Sequence, residues 1–183
     1  MKKTLFVLGL LALGFAACTS SGEVGNFQLL MKDLPIDMDH VWVTFAELTL
    51  FSEGEPPVTV ETKDSEGNPL RVDLLELREI EGEKGKLGTI FSDSVPAGTY
   101  TQIRLILTKA AYVAFGDDTD TEIDLFVPSG EIKIPVEFTI EEGGDLTTVT
   151  IDFDAESSIH VHPTGNGLYI MRPVVTLVSV VTE

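Results

Sequence analysis

Asp152 and Asp154 stand two residues apart at the end of an alternating stretch, and His160 and His162 stand two residues apart shortly after it. On a strand, residues i and i+2 share a face about 7 Å apart, so each pair offers two donor groups on one side. A reversal of the chain between them would gather two carboxylates and two imidazoles, a donor set for zinc or another transition metal. Asp117, Asp118 and Asp120, in the run G-D-D-T-D-T-E at 116–122, offer the hard oxygens that suit calcium. That run lacks the sixth-position glycine and the distal glutamate of an EF-hand loop. The plain alternative to both metal readings is a polar outer strand face and a solvated acidic turn. Arg104 lies in a strand-like run; if its face is covered, it needs a carboxylate, and Asp152 or Asp154 is the expected partner in a structural ion pair. Trp42, Tyr112 and Tyr169 would mark a glycan-binding surface if exposed, whereas burial between sheets is the commoner fate of such a tryptophan.

For catalysis the chain offers little. There is no G-x-S-x-G, no P-loop and no H-E-x-x-H, and Ser129, Ser157 and Ser158 read as turn serines. A non-catalytic protein is expected, without a cofactor unless the acidic or Asp/His groups take calcium or zinc.

The elements that would position these residues are strands. In Val95–Leu107 a Pro96–Gly98 turn feeds an alternating run, with Thr101, Ile103, Leu105 and Leu107 on one face and Tyr100, Gln102, Arg104 and Ile106 on the other. Such a run belongs mid-sheet, with neighbours on both sides. His40–Phe51 starts with Val41, Val43 and Phe45 in phase, then slips to Ala46, Leu48 and Leu50, which predicts a β-bulge near Phe45–Ala46. Val58–Glu61, the turn at 64–69 and Arg71–Leu77 suggest a hairpin followed by a helical turn. Ile132, Ile134, Val136, Phe138 and Ile140 alternate cleanly, and Pro135 among them predicts an edge strand. The E-E-G-G-D at 141–145 reads as a hairpin turn into Leu146–Asp154. Short strands between Gly/Pro turns argue an all-β fold, a single antiparallel β-sandwich over residues 26–183.

Residues 1–17 carry Lys2 and Lys3, then an apolar run too short to span a bilayer, and read as a signal peptide. Residues 18–25 begin with Cys18, the sole cysteine, and form a short polar tether. The charge balance is strongly acidic, 12 Lys+Arg against 30 Asp+Glu. Such a surface repels nucleic acid and anionic lipid, so neither is an expected partner by charge.

Phe15-Ala16-Ala17-Cys18 resembles the lipobox of bacterial lipoproteins, with Phe15 where leucine is usual. The resemblance implies cleavage before Cys18, its acylation, and a membrane contact made by the acyl anchor; multiple chains would give stable attachment. Further motifs follow: K-D-L-P at Lys32–Pro35, V-D-L-L-E-L at Val72–Leu77, P-A-G-T-Y-T-Q-I-R-L at Pro96–Leu105, V-P-S-G at Val127–Gly130, D-F-D-A-E-S-S at Asp152–Ser158 and R-P-V at Arg172–Val174. Together these resemble the bacterial lipoprotein family catalogued as domain of unknown function 4382. The resemblance implies a transthyretin-like or carbohydrate-binding-like sandwich and no established activity. The expectation is a lipid-anchored envelope protein, sorted to the outer membrane, whose sandwich binds a glycan or a protein or takes part in envelope assembly. A metal-dependent enzyme using the Asp/His face and a purely structural spacer are the alternatives.

Overall fold

The computed structural model describes residues 23–33, 38–77, 87–114, 116, 121–161 and 169–183. Strands β1 (Val24–Asp33), β5 (Gly88–Pro96), β9 (Thr147–Phe153) and β12 (Val175–Thr182) form one sheet in the order β12-β9-β1-β5. The second sheet is built on two long strands, β2 (Met38–Phe51) and β6 (Gly98–Ala114). Along the free side of β2 lie β3 (Val58–Glu61) and β4 (Leu70–Asp73), end to end. Along the far side of β6 lie β7 (Ile123–Asp124) and β8 (Glu131–Ile140). A short pair, β10 (Ile159–Val161) and β11 (Tyr169–Met171), joins this edge through a bridge between Phe126 and Ile170. A 3-10 turn, Leu74–Leu77, follows β4, and a single-turn helix, α1 (Ala155–Ser158), follows β9.

The period-two patterns dictate this layering. Ile132, Ile134, Val136, Phe138 and Ile140 of β8 are all buried, while the residues between them are exposed. Pro135 sits where it costs least, because among the described residues β8 pairs only with β6. β6 is the mid-sheet strand its sequence predicts, flanked by β2 on one side and β7 and β8 on the other. The register between β2 and β6 shifts on both sides of Phe45, so Val41, Val43 and Phe45 bury on the same face as Leu48 and Leu50. Aromatic contacts bridge the layers: Phe138 stacks on Phe27 of the opposite sheet, ring centroids 5.4 Å apart, and on Tyr100 at 5.6 Å.

Several expectations need correction. Tyr100 is on the core side, 3% exposed, because a bulge between Tyr100 and Gln102 reverses the phase. Its hydroxyl donates to the Pro96 carbonyl at 2.7 Å and pins the turn. The turn at 64–69 exists, closed by a bridge between Lys63 and Pro69, but the strands it joins pair with β2 instead of with each other. The E-E-G-G-D turn does not close a hairpin either. It carries the chain from β8 in one sheet to β9 in the other, and β9 then lies parallel to β1 within an otherwise antiparallel sandwich. Gly143 takes φ 55° in that crossing, a conformation glycine adopts without steric cost. Gly25 on β1 packs directly on it: a Cβ there would lie 2.2 Å from the Glu141 carbonyl oxygen.

The crossing also brings Glu142 beside Glu23, whose charge pushes the Glu142 carboxyl above its ordinary value. A carboxylate with a raised folded-state pKa lowers stability above that pKa, and the penalty is relieved as pH falls through it. Glu142→Gln is therefore expected to raise the melting temperature at pH 7, with the difference from wild type vanishing near about pH 4. Thermal melts of both proteins across that range check it.

α1 is fixed at both ends. Asp154 caps it, accepting from the Ser157 N–H at 2.8 Å. Buried Ser158 donates its hydroxyl to the Asp154 carbonyl and accepts from the Val174 N–H at 2.8 Å. Ser158→Ala leaves that N–H without its acceptor, so a loss of about 1–3 kcal/mol is expected in urea denaturation.

Candidate functional site

The solvent face of the larger sheet gathers the side chains whose placement packing does not require. On β2, His40 and Trp42 point outward; beyond the bulge, Glu47, Thr49 and Phe51 do so, on the face opposite the inward Leu48 and Leu50. Trp42 pairs across the sheet with Asp73 on β4 and with Ala111 on β6. Ala111 and Val113 are buried although on this outer side, and they give the patch an apolar floor.

Trp42 is half-buried and stacked from both directions along the strand. His40, two residues earlier, lies with its ring centroid 5.4 Å away and planes 15° apart. Arg71 stands opposite Thr44, two residues later, and sets its guanidinium 4.4 Å from the indole centroid. Arg71 is itself held by Glu122 at 2.6 Å. His40 Nδ1 is paired with the Asp73 carboxylate. Asp73 is buried, and its other oxygen accepts from the Val41 N–H at 3.2 Å and the Leu75 N–H at 3.1 Å. Further along the same face the motif repeats: Arg104 lies 4.5 Å from the Phe51 ring centroid. Around these rings the charges alternate. Arg104 and Lys133 share Glu131 at 3.7 and 3.3 Å, and Lys109 pairs with Asp124 at 3.3 Å. Exposed pairs of this kind contribute about 0–1 kcal/mol each, so they shape the surface more than they stabilise the fold.

The other predicted residues fall elsewhere. Arg104 does not meet Asp152 or Asp154, which belong to the opposite sheet and its following turn; its partner is Glu131. Asp152 is in an ion pair, but with Lys32 of β1 at 3.1 Å. Asp154 is the helix cap, and His160 is exposed on β10. The described residues thus hold two of the proposed metal ligands in structural roles, and no group of three or more His, Cys, Asp or Glu among them converges to hold a metal. His162, Asp117, Asp118, Asp120 and Cys18 lie outside the described residues. Tyr112 is buried, not displayed; its ring meets Tyr169 edge-on at 5.1 Å, and burial with the neighbouring phenol pushes its hydroxyl pKa up. Tyr169 is half-buried against the core.

Phe51, His40, Asp73 and Arg71 were not singled out by their sequence pattern. Phe51 could have been: the phase slip at Phe45–Ala46 that turns Leu48 and Leu50 inward turns Phe51 outward, onto the face of Trp42. The pairing of β4 with the start of β2, which brings Asp73 and Arg71 in, has no local signal.

No helix among the described residues is long and apolar enough to cross a membrane. Compared with known proteins, residues 24–173 match a family described as a domain of unknown function (DUF4382). No curated protein and no solved structure matches the chain.

Proposed function

Because the chain belongs to the DUF4382 family, whose description carries no activity, we propose from the geometry of its own surface that it is a lipid-anchored, non-catalytic module of the bacterial envelope that binds a protein partner through the outer face of its larger sheet. The observation that supports this is the outward display of Trp42 and Phe51, each with an arginine over its ring. Tryptophan and arginine are the side chains that concentrate binding energy at protein interfaces. A glycan platform would need an open aromatic face, and the Trp42 ring is flanked by His40 and Arg71. The paired charges on this face also spare a partner the repulsion expected from a chain of net charge −18.

The anchor in this reading is Cys18, acylated after removal of residues 1–17. Because β1 starts at Val24, not beyond Gly25, the tether shrinks to Thr19–Glu23. At about 3.3–3.6 Å per residue it holds the sandwich within roughly 20 Å of the bilayer. Intact mass spectrometry of the membrane-extracted protein is expected to show an acylated Cys18 at the N-terminus; an unmodified cysteine there contradicts the anchor. For the face itself, full-length Trp42→Ala/Phe51→Ala protein and a Gln28→Ala/Thr148→Ala control on the opposite sheet are each used as bait beside wild type. Quantitative proteomics should show an envelope protein retained by wild type and the control and lost from the double variant. Equal retention by all baits contradicts the reading.

A further inference from the structure

A cleft of about 920 Å³ opens at the end of the sandwich where β1 begins, between the loop after β2 and the β5–β6 turn. Its walls are partly apolar and stiff. Pro56 and Pro57 form one side and Pro96 the other, and proline fixes φ at each. The Pro96 turn is held by the Tyr100 hydroxyl and by the Ala97 N–H, which donates to the Glu23 carbonyl at 2.8 Å. The site is therefore formed before any ligand arrives, and its size is that of small-ligand and peptide pockets.

Its charge is of one sign. Glu53, Glu55 and Glu137 line the cleft, and no Lys, Arg or His does. On the sheet face and on the opposite sheet, Glu61, Glu122, Asp124, Glu131 and Asp152 each have a cation within ion-pair distance. Among the described residues none of the three cleft glutamates has one. These glutamates also do not converge as metal ligands do. We propose that this cleft binds a short, extended peptide segment bearing arginine or lysine, its apolar parts against the prolines and its cationic groups on Glu53, Glu55 and Glu137. The segment supplies the countercharge that the described residues do not place in the cleft. The cleft lining includes neither Trp42 nor Phe51, and its binding does not depend on that reading.

The test is fluorescence anisotropy of the full-length chain in detergent with two labelled hexapeptides, one alternating proline with arginine and one alternating proline with glutamate. The arginine peptide is expected to bind, with affinity falling as salt rises. The triple variant E53Q/E55Q/E137Q is expected to bind it about tenfold or more weakly, the loss of three exposed charge contacts. A97W, which obstructs the cleft at its Pro96 side and leaves the carboxylates in place, is expected to weaken binding strongly, and W42A to leave it unchanged. Undetectable binding by the wild type overturns the proposal. So does equal binding of the glutamate peptide, or full binding by both the triple variant and A97W. A loss seen only in W42A would move the peptide to the sheet face and overturn the cleft as its site.

Discussion

Asp73→Ala is expected to lower the unfolding free energy by about 3–5 kcal/mol. The side chain is 1% exposed, and one oxygen accepts from two backbone N–H groups, Val41 on β2 and Leu75 in the 3-10 turn. Alanine would leave both donors buried without an acceptor, and each such loss costs about 1–3 kcal/mol. The pair with His40 adds less, because the imidazole is 38% exposed and water screens it. Asp73→Asn separates the two contributions. Its amide oxygen can still accept from both N–H groups, so a loss of only about 1 kcal/mol is expected. Urea titrations with an unchanged slope would show that stability, and not the cooperativity of unfolding, has changed. If the alanine variant were as stable as the asparagine variant, Asp73 would not be the tie between β2 and the turn.

Phe138→Ala is expected to cost about 3–5 kcal/mol. The ring is 5% exposed and lies between Tyr100 of its own sheet and Phe27 of the other, which in turn contacts Phe91 at 6.2 Å. Its loss opens a cavity at the junction of the layers that its two aromatic neighbours, Phe27 and Tyr100, cannot refill without leaving their rotamers. Trp42→Ala is the matched comparison. It removes a larger ring from the outer face, where the surroundings are polar and half-wet, and is expected to cost less than about 1.5 kcal/mol. A ranking with Trp42 above Phe138 would mean that the outer patch, not the interlayer core, holds the sandwich together.

Strand identity was legible because burial imposes a period of two. β8 declares itself through five alternating apolar residues, and β2 declares even its bulge, since a slipped phase has one simple structural cause. Partnership was less legible. The Glu141–Asp145 turn specifies a reversal through Gly143, but nothing local states which sheet receives the next strand. The chain crosses to the other layer and pairs β9 parallel to β1, across more than a hundred residues of sequence. The error over Arg104 has the same origin. With β9 assumed to neighbour β8, Asp152 is the natural partner; with β8 beside β6 in its actual register, Glu131 faces Ile106 next to Arg104 and takes its place. At the candidate site, Trp42 was recognised by residue type and its face by phase. What covers its ring was not, because Arg71 arrives on a four-residue strand whose register with β2 depends on the turn at 64–69.

The outer face of the β2–β6 sheet as a protein interface is tested most directly in living cells. A photo-crosslinking side chain is placed at Thr44, between Trp42 and Phe51, and in a second strain at Gln28 on the outer face of the other sheet. Irradiation is expected to give a discrete crosslinked protein from position 44 that is absent from position 28 and disappears when Trp42 is also replaced by alanine. No crosslink from position 44, or the same products from both faces, would contradict it.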